Sequence, residues 1–240
     1  MKYMGSKNRF AKELVPIIES YITSETKGYL EPFVGGANMI DKINCSKKYG
    51  CDINEYLIAL LEKVRDDSIN LPKVITNEDY DSVRLNCGNF DKWYVGFVGF
   101  LCSFGSKFFG GYARGKNNNG VPRNYARESY DNLIKQAPNL KGIVFKHCSF
   151  QDVNNIKGFV IYCDPPYRGT TKYKTDEFPY DEYYDWCRKM SRNNIVLCSE
   201  YWMPDDFECI WAKETKANFD CNRDSNDDKN KRVEKLFIIK

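Results

Sequence analysis

The sequence predicts an α/β fold in which helices cover both faces of a central sheet. Short apolar runs that suit buried strands recur along the 240 residues, and helical or polar segments separate them. Near the start, a strand-like run leads into a Gly35-Gly36 turn, and Asp52 ends the next run. The interval from Gly35 to Asp52 is close to that of strand-turn-helix-strand units that grip a nucleoside. Both patterns favour alternating strands and helices.

Two helices and two strands are predicted in the first 70 residues. In chain order they are residues 7–21 (helix), 28–34 (strand), 47–53 (strand) and 54–65 (helix). Pro16 predicts a kink or a boundary in the first helix, and Asn54 is placed to cap the second one. A further helical segment is expected to begin near Met39, directly after the glycine turn.

The middle of the chain follows a different pattern. Residues 71–140 are aromatic and rich in glycine, with helical hints only at 79–85 and 129–136. Strands and helices do not alternate clearly there. We therefore interpret 71–140 as a region inserted into one domain that is formed by residues 1–70 and 141–240.

Five further strand-like runs follow the inserted region. They are residues 142–148, 158–163, 194–199, 207–212 and 233–239. These runs are short and apolar, as expected of strands covered on both faces. Residues 218–232 are polar and charged, and we expect them to form an exposed loop before the last strand.

Composition excludes several classes of protein. Apolar residues make up 42% and charged residues 29% of the chain, which is ordinary for a globular protein. The longest uncharged stretch, between Lys92 and Lys107, is shorter than the roughly 20 apolar residues of a membrane span. The first residues lack the apolar region of an export signal, so a cytoplasmic location is expected. The ten cysteines form no CxxC pair and have a single histidine, His147, to join them. Neither a metal site nor a disulfide framework is therefore expected, and the thiols should be reduced.

The tetrapeptide Asp164-Pro165-Pro166-Tyr167 is the strongest functional signal. Its two prolines remove backbone donors and fix φ, so the turn presents carbonyl oxygens and the Asp164 carboxylate. Tyr167 adds a flat aromatic face. These groups suit a planar ring with an exocyclic amino group, such as adenine, whose two hydrogens need two acceptors. The alternative is a strand that simply ends at a proline-stiffened turn.

The first strand and the second strand end at a candidate cofactor site. The turn contains Pro32, Phe33, Gly35 and Gly36, and glycine there lets the backbone approach a ligand closely. Asp52 could accept hydrogen bonds from two ribose hydroxyls. The alternatives are a plain tight turn and a helix-capping aspartate. A GxGxxG pattern is absent, which disfavours a nicotinamide or flavin cofactor.

A basic stretch lies in the inserted region. Residues 107–127 contain no acidic residue, several aromatic residues and five basic ones, namely Lys107, Arg114, Lys116, Arg123 and Arg127. Such a stretch suits a polyanion, and duplex DNA is the expected partner. The alternative is a solvated surface loop. Arg114 and Arg123 are also candidates for reading guanine, because arginine can bind this base with two hydrogen bonds.

Together these motifs resemble the Dam-like, or alpha-group, DNA adenine-N6 methyltransferases, and most of all their compact phage-borne members. The Asp164-Pro165-Pro166-Tyr167 turn resembles that family's DPPY signature. The PFVGG turn resembles its S-adenosylmethionine element, although Ala37 stands where the family commonly has a further glycine; we expect this methyl group to narrow the site without abolishing binding. Tyr3 and Lys7 match an aromatic residue and a lysine that contact the cofactor. Further matches are Gly110 to Arg114, residues 170–173 and Val233 to Phe237.

The resemblance implies an S-adenosylmethionine-dependent methyltransferase with a Rossmann-like fold and a mixed seven-stranded sheet. It implies that Asp164 and the Pro165 carbonyl hold the target amine, that Tyr167 stacks on a flipped adenine, and that Asp164 also contacts the cofactor. Residues 71–140 would read the DNA sequence. A bacterial or phage-infected cell is the expected setting, and a monomer or a weak dimer the expected state.

Three alternatives remain open at this stage. The chain could methylate adenine in RNA, or another planar amine or amide, although the acid in Asp164-Pro165-Pro166-Tyr167 favours adenine over the asparagine-led version that is typical of glutamine methylation. A nucleic-acid-binding homologue without catalytic activity is the third. Substrate assays and a cofactor titration separate these alternatives.

Overall fold

The computed structural model describes residues 1–168, 178–216 and 231–239. Two sequence expectations lie outside this range. They are the family match at residues 170–173 and nearly all of the predicted exposed loop, residues 218–230.

A mixed seven-stranded sheet forms the centre of the molecule, in the order β3-β2-β1-β4-β5-β7-β6. The first five strands in this order run parallel, whereas β7 runs antiparallel to both β5 and β6. This confirms the fold expected from the sequence. The strands are β1 (Gly28–Glu31), β2 (Lys48–Asp52), β3 (Ile143–His147), β4 (Phe159–Cys163), β5 (Ile195–Glu200), β6 (Phe207–Lys216) and β7 (Lys231–Ile239).

Helices cover both faces of this sheet. They are α1 (Ala11–Glu19), α2 (Glu55–Asp67), α3 (Asn77–Leu85), α4 (Lys92–Gly96), α5 (Tyr125–Leu140) and α6 (Tyr180–Ser191). Successive side chains of a strand point to opposite faces. Accordingly, Val160 and Tyr162 of β4 pack in one hydrophobic cluster with α1, α2 and α5, while Ile161 and Cys163 pack with α6 in a second one.

The inserted region shares the main hydrophobic core. Val95, Phe97 and Leu133 are fully buried in the same cluster as Leu57 of α2. Helix α4 packs so closely on α2 that a Cβ atom at Gly96 would lie 2.2 Å from the carbonyl oxygen of Tyr56. Only glycine allows this approach. The packing supports the interpretation of an insert that does not fold separately, while its exact boundaries stay a prediction.

Most predicted helices are present with shifted ends. Helix α2 begins after Asn54, whose side chain accepts the Leu57 N–H as predicted. Helix α1 continues through Pro16 to Glu19, so a boundary near Pro16 is wrong. No helix in the described part of the chain has the length and apolar character needed to cross a membrane.

The helix predicted to begin near Met39 is absent, and turns take its place. The carbonyl groups that would begin it are already bonded by side chains. The Gln136 amide donates to the carbonyls of Gly36 and Ala37, at 3.1 and 3.2 Å, and the Lys42 ammonium donates to that of Asn38 at 2.7 Å. These acceptors would otherwise bond the N–H groups of the first helical turn, so the side chains compete with helix formation here.

The order of the strands locates the candidate site. It reverses between β1 and β4, which is the point where open α/β sheets bind ligands at the carboxyl ends of their strands. The glycine turn follows β1, Asp52 ends β2, and the Asp164 turn follows β4. The sheet therefore brings the candidate cofactor site, formed by the glycine turn and Asp52, to the same edge as the candidate amine site at the Asp164 turn.

Candidate active site

The Asp164-Pro165-Pro166-Tyr167 turn leaves the core directly after the buried end of β4. Asp164 is partly buried, Pro165 is buried and Pro166 is exposed. The Pro166 carbonyl accepts a hydrogen bond from the Tyr180 hydroxyl at 3.0 Å, which fixes the outer side of the turn. The turn is thus anchored at both ends while the Asp164 carboxylate faces the sheet edge.

Lys7 reaches this turn from the N-terminal segment. Its ammonium lies 3.0 Å from Asp164 Oδ1 and 4.3 Å from the centroid of the Tyr167 ring, and its side chain is only 7% exposed. The structure therefore brings Lys7 together with Asp164, which is predicted to hold the target amine, and with Tyr167, which is predicted to stack on the base. Its predicted contact with a cofactor stays a prediction.

The Tyr167 ring is held from several sides. Its hydroxyl donates to Glu234 Oε2 at 3.0 Å, and the Tyr201 ring packs edge-on against it with centroids 4.7 Å apart. Tyr167 is 8% exposed. Because these contacts restrict rotation of the ring, the orientation of its aromatic face is set before any ligand arrives.

Glu200 ties the turn to the neighbouring strand. Its carboxylate accepts the Arg168 N–H at 3.2 Å and the Tyr201 N–H at 2.7 Å. Glu200 was not among the residues predicted from the sequence, and Glu234 was named only within a family match, Val233 to Phe237, without a role in the site. The available signal was an acidic residue at the end of the apolar run of β5 and another within the apolar run of β7.

Three other buried carboxylates, those of Glu31, Glu200 and Glu234, lie near Asp164. Burial raises the pKa of Asp164; the nearby Lys7 charge opposes this rise and Glu234 adds to it. Burial likewise raises the pKa of Glu200 to about 7 and that of Glu31 well above its ordinary value, although the Tyr29 hydroxyl bonds Glu31 at 2.8 Å. An ionised Asp164 is consequently a poorly solvated, strong hydrogen-bond acceptor.

Tyr3 lies directly over the glycine turn. A Cβ atom at Gly35, where φ is 49°, would lie 2.9 Å from the Tyr3 ring, and one at Gly36 would lie 2.8 Å from Tyr3 Cβ. Glycine is therefore required at both positions. Ala37 also has a positive φ, 55°, so the departure from the family's glycine places a buried methyl group on strained backbone.

Asp52 is positioned by the backbone around it. Its Oδ2 accepts the Gly35 N–H at 3.1 Å and its Oδ1 accepts the Asn54 N–H at 3.0 Å. Burial raises its pKa despite these bonds. Each carboxylate oxygen has a further lone pair, so both can still accept hydrogen bonds from two adjacent hydroxyls. This donor and acceptor pattern fits the ribose of a nucleoside cofactor.

The remaining residues of the predicted cofactor turn differ in their surroundings. Pro32 is buried. The Phe33 ring packs among Phe150, Phe178 and Tyr183, with centroids 5.6 to 5.8 Å apart. These contacts give Phe33 a packing role on the α6 side of the sheet, and its predicted cofactor contact stays a prediction.

All five basic residues of the stretch are exposed. Lys116 and Pro122 form an isolated antiparallel β-bridge across a turn. Arg114 donates to the Asn77 side chain at 2.8 Å. Among the described residues, neither Lys107 nor Lys116 takes part in an ion pair. These three side chains are available to an external anion.

The other two basic residues already have acidic partners. Arg123 contacts Glu128 at 2.5 Å and Arg127 contacts Asp131 at 3.1 Å. The bond from Arg123, with the charge of Lys2, lowers the pKa of Glu128 to about 2. To bind a phosphate, each of these arginines must therefore either leave its carboxylate partner or contact the carboxylate and the phosphate together.

Three thiols lie close to the start of the Asp164-Pro165-Pro166-Tyr167 turn, in and beside β4. The sulfur atoms of Cys163, Cys187 and Cys198 are within 4.8 Å of one another, and all three side chains are fully buried. They pack in the cluster that contains Tyr183 and Trp186. In such surroundings cysteine can behave as a small hydrophobic residue, and the reduced, structural role expected from the sequence stays a prediction.

Two individual proteins illustrate what this chain is similar to. The chain is 24% identical over 196 residues to the Type II methyltransferase M.FokI of Planomicrobium okeanokoites, covering 71% of this chain and 29% of that protein. It thus spans less than a third of the length of this relative. Among solved structures, it is similar to the rRNA methyltransferase aviRa of Streptomyces viridochromogenes, with 8% identity and a TM-score of 0.44 over 99% of this chain and 86% of that one.

A family model provides the decisive match. The model of the D12 class N6 adenine-specific DNA methyltransferases aligns with residues 3–215, a range that contains the Tyr3 and Lys7 segment, the glycine turn, Asp52 and the Asp164-Pro165-Pro166-Tyr167 turn. This agrees with the family resemblance inferred from the motifs. The chain belongs to the D12 class N6 adenine-specific DNA methyltransferase family.

Proposed function

We propose that this chain is a site-specific DNA adenine methyltransferase, which transfers a methyl group from S-adenosylmethionine to the 6-amino group of a flipped adenine. The observation that carries the proposal is the arrangement of Asp164 beside the fixed ring of Tyr167 at the carboxyl end of β4. Membership of the family supports both the adenine and the DNA.

The target amine is held by Asp164 and the Pro165 carbonyl. Both accept its hydrogens, so the nitrogen lone pair is released from the ring and turned towards the methyl donor. Positive charge develops on this nitrogen as the new bond forms. The Asp164 carboxylate stabilises that charge, and it does so effectively because partial burial keeps water from competing.

The cofactor is held at the ends of β1 and β2. Asp52 accepts the ribose hydroxyls, the Gly35-Gly36 turn allows close backbone approach, and Tyr3 covers the turn. When bound, S-adenosylmethionine supplies an electrophilic methyl group on its sulfonium. Lys7 lies in the same N-terminal segment as Tyr3, so this one segment contacts both the cofactor turn and the Asp164 turn.

Duplex DNA is bound through the inserted region, residues 71–140. Lys107, Arg114 and Lys116 contact phosphates, and Arg123 and Arg127 join them after exchanging their carboxylate partners. Base reading by arginine is assigned to Arg114 and Arg123. The adenine leaves the stack, because the methyl donor cannot reach it inside the duplex. The enzyme acts in the cytoplasm of a bacterial or phage-infected cell, as a monomer or weak dimer.

A substrate competition tests this proposal. Purified protein is incubated with labelled S-adenosylmethionine and equal masses of duplex DNA lacking N6-methyladenine and of structured RNA, and the products are digested to nucleosides. We expect label in N6-methyldeoxyadenosine. Label confined to RNA would establish the RNA alternative, and cofactor binding without transfer to either polymer would establish the inactive one.

A further inference from the structure

Glu234 is a buried carboxylate that faces the catalytic turn from β7. It is 5% exposed, and its Oε2 accepts the Tyr167 hydroxyl at 3.0 Å. The same oxygen lies 3.9 Å from the Lys7 ammonium, while Oε1 lies 3.6 Å from the Arg9 guanidinium. A carboxylate in this position requires such partners, because an unpaired buried charge is costly. Glu234 therefore joins the N-terminal segment to the turn.

Lys7 stands between two carboxylates at unequal distances. It contacts Asp164 at 3.0 Å and lies 3.9 Å from Glu234. Its ammonium also lies over the Tyr167 ring at 4.3 Å. These are the carboxylate and the aromatic face that the target amine and its base need. Lys7 and the adenine therefore compete for the same surroundings, and Lys7 must shift when the base enters.

We propose that Glu234 is a positioning residue that takes over the Lys7 ammonium when the target amine binds Asp164, while it continues to hold the Tyr167 hydroxyl. This inference rests on the proposed adenine methylation. The shift that it needs is small, since Lys7 already lies within 4 Å of both carboxylates. The cation thus stays paired inside the site, and Asp164 is released for the amine.

A pH profile distinguishes this role from a merely structural one. The groups that face Asp164 are Lys7, Glu31, Tyr162, Tyr167, Glu200 and Glu234. The charge of Glu234 raises the pKa of Asp164 and that of Lys7 lowers it. Loss of the Glu234 charge leaves Lys7 on Asp164 and removes a repulsion. Both changes lower the pKa of Asp164. The acid limb of the pH-rate profile, where protonation of Asp164 slows methyl transfer, therefore moves to lower pH.

The experiment measures single-turnover methylation of unmodified genomic duplex DNA from pH 5 to pH 9. Glu234→Gln removes the charge and keeps an oxygen that can accept the Tyr167 hydroxyl. Glu214→Gln is the matched control, because it makes the same charge change at an exposed position on the adjacent strand β6. Thermal melts and S-adenosylmethionine titrations accompany each variant.

We expect Glu234→Gln to slow methyl transfer roughly tenfold or more, the effect of removing one charge-assisted hydrogen bond, and to move the acid limb to lower pH. Glu214→Gln should match the wild type. A Glu234→Gln rate within twofold of the control would overturn the proposal. So would a slower rate with an unmoved acid limb, which is the mark of a structural defect.

Tyr167→Phe supplies a second test, which separates the effect on Lys7 from the hydrogen bond between Tyr167 and Glu234. It removes the hydroxyl bonded to Glu234 and retains the ring. We expect Glu234→Gln to shift the acid limb in this background as well, because the effect on Lys7 is independent of the hydroxyl. A limb shift that vanishes with the hydroxyl would refute the transfer of Lys7. If the wild type itself transfers no methyl group to DNA adenine, the proposed function fails first, and the two failures are thereby distinguished.

Discussion

Replacement of Asp164 by asparagine separates catalysis from stability. The variant keeps the shape of the side chain and one oxygen acceptor but removes the charge that we propose stabilises the developing positive nitrogen. Removal of one preorganised electrostatic interaction at a reacting atom costs about 3 kcal/mol in the transition state, or on the order of a hundredfold in rate. We therefore expect methyl transfer by Asp164→Asn to fall by roughly a hundredfold or more.

The same substitution should barely change stability. At an effective dielectric constant near 20, Lys7 attracts Asp164 with roughly 5.5 kcal/mol at 3.0 Å and Glu234 with roughly 4 kcal/mol at 3.9 Å. Lys7 thus keeps a charged partner in the variant. Burial is the largest influence on the pKa of Asp164 and disfavours its charged form, so removal of the charge offsets part of the lost attraction. The free energy of unfolding should change by no more than about 1 kcal/mol, a shift of roughly 2 to 4 °C in melting temperature.

The assay pairs single-turnover methylation with thermal unfolding and a cofactor titration. Asp205→Asn, which makes the same change at an exposed position, is the control. Methyl transfer by Asp164→Asn within tenfold of wild type would refute the assignment of Asp164 to the amine. A melting temperature lowered by much more than 4 °C would refute the view that Glu234 is a sufficient charged partner for Lys7 in the variant.

Three further predictions concern the cofactor, the DNA and pH. Asp52→Asn should weaken S-adenosylmethionine binding roughly tenfold to a hundredfold in calorimetry, and an unchanged Kd would remove Asp52 from the cofactor site. Replacement of Lys107, Arg114 and Lys116 by alanine should flatten the slope of log DNA affinity against log salt by roughly 0.9 for each phosphate that the variant no longer neutralises; an unaltered slope would return the stretch to a solvated loop. Burial raises the pKa of Glu200 to about 7, so the ionised form of this side chain destabilises the folded protein. Relative to Glu200→Gln, the free energy of unfolding of the wild type should therefore fall by up to roughly 3 kcal/mol as the pH rises from 4.5 to 7. At higher pH this loss should stay constant. Denaturation curves at pH 5 and pH 8 measure this change, and an equal difference at both values would contradict it.

A matched triple variant controls the salt experiment. It replaces three exposed lysines outside the inserted region, Lys12, Lys157 and Lys189. If this variant flattens the slope as much as the first, the effect is one of net charge and not of a binding surface.

The sequence revealed those features whose causes are local. The run that ends at Cys163 is apolar and is followed by Asp164 and two prolines, so both the strand β4 and its acceptor-rich turn could be predicted. Asn54 was recognisable as a helix cap because the bond that it makes spans only three residues. The order of the motifs then indicated the family, and the structure brings the motifs to one edge of the sheet.

Features that depend on distant partners could not be predicted. Gln136 competes with the helix expected near Met39, and it lies 100 residues from the carbonyl of Gly36 that it bonds. Glu234 lies 67 residues from Tyr167, and its role follows only once β7 is inserted beside β5. An acidic residue inside an apolar strand indicates that a buried charge has a partner, but it does not indicate which residue that partner is.

Sequencing of modified bases in living cells tests the central claim most directly. The chain is expressed in cells whose DNA otherwise lacks N6-methyladenine, with Asp164→Asn expressed to the same level in parallel, and modified adenines are mapped across the genome. The account predicts N6-methyladenine within one recurring sequence in cells that make the wild-type chain, and near-complete loss of it with the variant. Unmodified DNA in cells that contain folded, cofactor-binding wild-type protein, or equal modification by the variant, would contradict it.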